Sequence, residues 1–152
     1  MEETVKELCT YILCNIYDDI TIEKLEKIFF YNRYYLIRIF KQYTGYTIKE
    51  FINTVKVLKT LDPLLYTNDT ILKIALNNGF NSQEYYSEKF QDILGLSPLK
   101  FRKYFHKIDE IDNIYELKLR KQYLIYLNQY KDQLLNIPYT LESPDKLKKL
   151  IR

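Results

Sequence analysis

The chain has 152 residues, with 47 % hydrophobic and 28 % charged side chains, a globular composition that excludes both a disordered tail and a large multidomain enzyme. Its 23 basic and 20 acidic residues leave a net charge of +3, so any attraction to a polyanion has to come from local patches rather than the global balance. Three glycines and four prolines supply few of the turns that an all-β chain requires about every 8–12 residues, and the expected fold class is all-α.

No apolar run approaches the roughly 18 residues needed to cross a bilayer, and the N-terminal segment through Leu8 is acidic where a secretory signal is basic. A cytoplasmic protein with no membrane association is expected. Cys9 and Cys14 lie five residues apart on a predicted helix, which turns them to different faces and suits neither a metal site nor a tight disulfide. They are expected to be reduced packing residues. His106 is the single histidine, and no nucleophile elbow, zinc-protease pattern or phosphate loop surrounds it. No catalytic residue, metal or cofactor is expected, and the chain does not read as an enzyme.

In chain order, Val5, Leu8, Cys9, Ile12, Leu13 and Ile16 form the stripe of a covering helix over about 3–16. Ile22, Leu25 and Phe29 mark a short helix near 21–30, and Leu36, Ile39, Phe40 and Tyr43 mark a second near 33–44. Asn32 is suited to cap that second helix and Gly45 to close it. Thr47-Ile48-Lys49-Glu50 is a Thr-x-x-Glu capping box, which opens a helix from about 48 to 61 that Pro63 is expected to stop. Asn68 or Asp69 then caps a helix over about 70–78, Asn78-Gly79 supplies a sharp turn, and Ser82 opens a helix running to Leu94, ended by Gly95. Ser97-Pro98 starts one more.

Residues 21–51 laid over 71–101 pair Ile22 with Leu72, Leu25 with Ala75, Phe30 with Phe80, Leu36 with Tyr86, Phe40 with Phe90, Gly45 with Gly95, Thr47 with Ser97 and Phe51 with Phe101. Two copies are too few for a solenoid, and helix, short turn, helix, stop is the plan of a helix-turn-helix. Two such units joined by a linker helix are expected. After Phe105 the pattern changes. Ile108, Ile111, Tyr115, Leu119, Tyr123, Tyr126, Tyr130, Leu134 and Ile137 step by three or four residues, describing one amphipathic helix of up to about 28 residues from near Asp109 to Pro138. A short helix over 143–151, with Ser143 as cap and Pro144 after it, completes the chain.

The run Ile74-Ala75, Gly79-Phe80, Ser82, Tyr85-Tyr86-Ser87, Phe90, Gly95, Ser97-Pro98 and Phe101-Arg102 resembles the signature of the AraC/XylS transcriptional regulators in order and spacing. The first unit is similar through Leu36, Arg38, Phe40, Lys41, Thr44-Gly45 and Phe51-Ile52. The resemblance implies a double helix-turn-helix DNA-binding domain over residues 1–105, with residues 106–152 as a helical extension. It implies a sequence-specific, nucleoid-associated regulator of bacterial type, acting on double-stranded DNA and contacting or blocking RNA polymerase.

Phe40 and Phe90 are expected to face inward and anchor the second helix of each unit, while the small Ala75 and Gly79 let two helices approach. The outward faces read DNA, because a helix in the major groove presents its N-terminal residues to base edges. In the first unit Tyr34, Ile37 and Arg38 are expected to face bases, with Arg33 and Lys41 on phosphates. Arg38 is suited to bond two guanine acceptors, and Tyr34 and Ile37 to pack on thymine methyls. In the second unit Gln83, Glu84, Ser87 and Glu88 are base-facing, and Glu88 stands where family members often carry a basic residue. Carboxylates repel phosphates and release no counterions, so the second unit is expected to bind more weakly or to position the first.

The linker departs as well, with Val55 and Leu61 where the family tends to carry arginine and alanine. Proline inside a helix costs about 3 kcal/mol, so a shorter or kinked linker is expected. Where its spacing is kept, the helices 33–44 and 82–94 enter successive major-groove segments about 34 Å apart. The tyrosine-rich helix either folds back over the DNA-binding domain or forms a homodimer through 108–137. A different reading is a degenerate relative that titrates another regulator through that helix.

Overall fold

The computed structural model describes residues 1–106 and 108–141. The helix expected over 143–151 lies outside the described residues. Among those described there is no strand, and the order is α1 (Glu2–Cys14), α2 (Ile22–Phe29), α3 (Arg33–Thr44), α4 (Ile48–Lys59), α5 (Leu61–Tyr66), α6 (Ile71–Asn77), α7 (Gln83–Leu94), α8 (Pro98–Phe105), α9 (Ile114–Leu135) and α10 (Ile137–Thr140), with a single 3-10 turn at Ile108–Glu110 ahead of α9. The expected all-α class is the observed one. The chain divides into two compact units, one of Met1–Val55 with the described residues from Asp132 onward, the other of Lys56–Lys131. Both α4 and α9 contribute residues to each.

In the first unit, α1 packs against α3 and α10 through Val5, Leu8, Cys9 and Ile12, all fully buried, so the N-terminal stripe is a covering helix as its spacing predicts. Leu25, Leu36, Ile39, Phe40 and Phe51 complete this core, with the Phe40 and Phe51 rings edge to face at 5.4 Å. Ring pairs in that geometry contribute about 0.5–1.5 kcal/mol beyond their burial.

The second unit is threaded by a file of aromatic rings. Phe80 and Tyr86 are 4.9 Å apart, Tyr86 and Phe90 5.7 Å, Phe90 and Phe101 5.5 Å, and Phe101 and Phe105 4.7 Å; Tyr123 of α9 stacks on Phe105 at 5.5 Å. Each ring comes from a different turn of α7, α8 or α9 or from the turn before α7, so the file clamps these elements together. Arg102 adds the polar counterpart. Its Nε donates to Leu64 O at 3.0 Å, Nη1 to Asp69 O at 2.5 Å, and Nη2 to Pro63 O and Thr67 O at 3.3 Å. One guanidinium thereby gathers carbonyls from α5 and from the loop before α6, of which Pro63 O also accepts from Thr67 N.

The punctuation follows chemistry. Asn32 and Ser82 cap α3 and α7 through the N–H groups of Tyr35 and Tyr85, and Gly45 and Gly95 close them at φ 81° and 84°. Thr47 and Glu50 form the reciprocal box at 3.1 Å in both directions. Ser97 accepts from Lys100 N ahead of Pro98.

Four expectations are corrected. The cap of α6 is Thr70, which accepts from Lys73 N, and not Asn68 or Asp69. Pro63 does not stop the linker helix. That helix ends at Lys59, Thr60 forms the joint, and Pro63 sits in the first turn of α5, where its missing N–H costs nothing. The linker helix is shorter than expected, and Val55 and Leu61, at 1 % and 2 % exposure, are core residues on either side of the joint. The expected 28-residue helix is interrupted at both ends, and its buried face is carried by Leu127 and Leu134, with Tyr123 half-buried, while Tyr115, Leu119 and Tyr126 lie exposed. Finally, Phe30 and Phe80 are not equivalent. The caps Thr21 and Thr70 and the left-handed turn residues Phe30 and Gly79 correspond at an offset of 49, so the second unit has one extra residue in its turn. Phe80 is buried and Phe30 exposed.

Candidate nucleic-acid interface

The buried side of α3 is Leu36, Ile39, Phe40 and Thr44, and the opposite side follows from the helical period: Arg33, Tyr34, Ile37, Arg38 and Lys41. Tyr34 is 79 % and Ile37 41 % exposed, and Arg38 and Lys41 are exposed. The structure thus brings Tyr34, Ile37, Arg38 and Lys41 to one outward surface, with Arg33 half-buried beside it.

Their electrostatic situations differ. Arg38 has no carboxylate partner among the described residues. Its guanidinium lies 5.6 Å from the centre of the Tyr35 ring, and Tyr35 in turn is 4.7 Å from Tyr31. A cation over an aromatic face is held without neutralising its charge or occupying its donors, which leaves the fork available for an acceptor pair. Arg33 is engaged instead. Its Nη2 lies 2.9 Å from Glu26 and 3.4 Å from Glu23, and its backbone N–H also donates to Glu26. The hydrogen bond and charge of Glu26 hold the Arg33 pKa above its ordinary value. Lys41 donates to Gly45 O at 2.9 Å and lies 4.0 Å from Glu50. Both phosphate candidates therefore already have partners within the unit, and a phosphate would compete with or join them.

In the second unit Tyr86 and Phe90 face inward, and Gln83, Glu84 and Glu88 are exposed while Ser87 is half-buried. Lys89, the one cation of α7, lies 3.8 Å from Glu88, 3.7 Å from Asp92 and 5.3 Å from the Tyr85 ring centre. This outward surface is acidic and its lysine is internally compensated.

Two groups that position these helices escaped the sequence reading. The Glu26 clamp joins positions seven apart across a turn, which neither helical nor strand periodicity reveals. Tyr86 Oη donates to Thr60 Oγ1 at 2.7 Å, and Thr60 Oγ1 donates to Val57 O at 2.6 Å, tying α7 to the linker joint. A buried tyrosine is a cue that its hydroxyl has a partner, but the partner lies 26 residues away.

Comparisons with known proteins find helix-turn-helix relatives. A family model described as a helix-turn-helix domain matches residues 25–104. The multiple antibiotic resistance protein MarA of Salmonella typhimurium is 27 % identical over 99 residues, covering 65 % of this chain and 78 % of that protein. An uncharacterised HTH-type transcriptional regulator of Staphylococcus aureus is 27 % identical over 101 residues, 66 % of this chain but 14 % of the relative, so the chain spans only a small part of that protein's length. Among solved structures, the C-terminal domain of AraT, a response regulator from Geobacillus stearothermophilus, superposes with a TM-score of 0.60 at 26 % identity, over 73 % of this chain and 88 % of that one. A Listeria innocua protein of unknown function superposes with a TM-score of 0.61 at 24 % identity, over 65 % and 94 %, and shares the fold.

Proposed function

The chain belongs to the AraC/XylS family of helix-turn-helix regulators, and from that premise we propose that it reads promoter DNA chiefly through α3. As a DNA-binding transcriptional regulator it places α3 and α7 in successive major-groove segments, with residues 1–105 as the DNA-binding domain and residues 106–152 as its extension. Arg38 bonds the two acceptors of a guanine, Tyr34 and Ile37 pack on thymine methyls, Arg33 and Lys41 meet phosphates, and Gln83, Glu84, Ser87 and Glu88 face the second segment. The observation that carries this reading is the Arg38 guanidinium, exposed and held over Tyr35 at 5.6 Å with its charge uncompensated. Bound at a promoter, the protein contacts RNA polymerase or blocks it, and the exposed Tyr115, Leu119 and Tyr126 of α9 supply a homodimer contact within 108–137. The test is selection from a mixed pool of short duplexes at two salt concentrations. Enriched, salt-sensitive binding is expected; absence of binding at low salt contradicts it.

A second reading is favoured by one observation, the acidic surface of α7 with Glu84, Glu88 and Asp92 exposed. On that reading the protein titrates another regulator through its C-terminal helix. Retention on heparin that falls with salt separates the two, since only the DNA-binding reading requires it.

A further inference from the structure

Phe30 is the single non-glycine residue with positive φ among those described, at φ 60° and ψ 30°. An L-residue in this left-handed region brings its Cβ against the following carbonyl, which is why glycine is the usual occupant. The turn of the second unit obeys that rule with Gly79 at φ 86°, and its phenylalanine comes one position later, buried in the aromatic file. In the first unit the strained position is filled by an aromatic ring that is 90 % exposed, more than any other large apolar side chain among the described residues. Packing does not account for it. The backbone N–H of Phe30 bonds Glu26 O at 3.0 Å, a bond that glycine would make equally well.

The placement points to the occupant. Phe30 stands two residues ahead of the Asn32 cap, at the N-terminal end of α3, whose first two turns carry the exposed Tyr34 and Ile37. Exposed Lys27 precedes it in the last turn of α2. A hydrocarbon ring has no donor or acceptor, so among base-edge features of the major groove it can recognise only the thymine 5-methyl group. We propose that Phe30 is a further specificity residue of the reading surface, its ring packing on a thymine methyl at the end of the site that meets the α3 N-terminus. This rests on the DNA-reading role of α3.

The experiment takes the duplex enriched from the mixed pool and replaces each thymine in turn by uracil, which removes only the methyl group. Affinities are measured for the wild type, Phe30→Gly, Phe30→Leu and Arg38→Ala, together with the Tm of each. One replacement is expected to weaken the wild type about three- to tenfold, to leave Phe30→Gly unaffected, and to act partially on Phe30→Leu. The Tm of Phe30→Gly is expected to equal or exceed that of the wild type. Phe30→Gly responding to every replacement as the wild type does would overturn the proposal while leaving the α3 reading intact, provided Arg38→Ala still loses discrimination. A lower Tm for Phe30→Leu as well as for Phe30→Gly would also overturn it, by showing that the ring packs. Unchanged DNA binding with altered transcription in a purified system would assign the ring to a protein contact instead and overturn it. A wild type with no duplex preference would remove both this proposal and the reading beneath it.

Discussion

The hydroxyl of Tyr86 donates to that of Thr60 across 2.7 Å inside the second unit, and both residues are fully buried. The bond joins the inward face of α7 to the joint between α4 and α5. Removing the acceptor leaves a buried phenol unpaired, which costs about 1–3 kcal/mol, whereas removing the phenol oxygen costs about 1 kcal/mol. Thr60→Val is therefore expected to destabilise more than Tyr86→Phe, and the double variant less than the sum. Urea denaturation of the three variants checks this.

The same phenol makes stability fall in alkali. Burial pushes the Tyr86 pKa well above its ordinary value, partly offset by the Thr60 hydrogen bond and the charge of Arg102. A group whose pKa is raised on folding contributes stability that is complete below its unfolded pKa of about 10 and is lost as pH climbs toward the folded value. Above pH ~10 the stability gap between wild type and Tyr86→Phe is expected to shrink. Denaturation midpoints at pH 8 and pH 11 report it.

Arg102 binds four carbonyls that no shorter or singly pointed cation can reach together. Arg102→Lys is expected to recover little of the loss in Arg102→Ala, about 2–4 kcal/mol, since the planar fork and not the charge does the work. Thermal unfolding of both variants distinguishes fork from charge.

The two cysteines should separate chemically. Burial pushes the Cys9 thiol up to about 12, and Cys14 is exposed. At pH 8 the folded protein is expected to take one equivalent of iodoacetamide, at Cys14, and a second only in denaturant. Peptide mapping identifies the site.

On α7, Glu88→Lys replaces a repelling charge with one that releases a counterion, and removes a carboxylate that lies 3.8 Å from Lys89. Affinity for the enriched duplex is expected to rise about fivefold, with the salt slope steepened by roughly one. An unchanged slope would place α7 away from phosphates.

Local chemistry was the legible part of this molecule. Asn32, Ser82, Gly45, Gly95 and the Thr47–Glu50 box act within four residues of themselves, so spacing alone identifies them, and the resemblance to AraC/XylS proteins carried the fold. The outward surface of α3 was legible because its inward side is apolar at helical period. What spacing could not carry was tertiary: the Glu26 clamp on Arg33 across a turn, the Thr60 joint that moves the helix break three residues ahead of Pro63 and is tied to Tyr86, and the burial of Leu127 in place of Tyr126. The one-residue difference between the two turns escaped because a phenylalanine occupies a left-handed position where glycine would have announced it.

The most direct measurement is the affinity of the wild type and Arg38→Ala for the enriched duplex and for a duplex with its guanines replaced. The wild type is expected to lose about tenfold or more on replacing one guanine, and Arg38→Ala to bind both duplexes at the weaker level. Equal discrimination by the wild type and Arg38→Ala would contradict it.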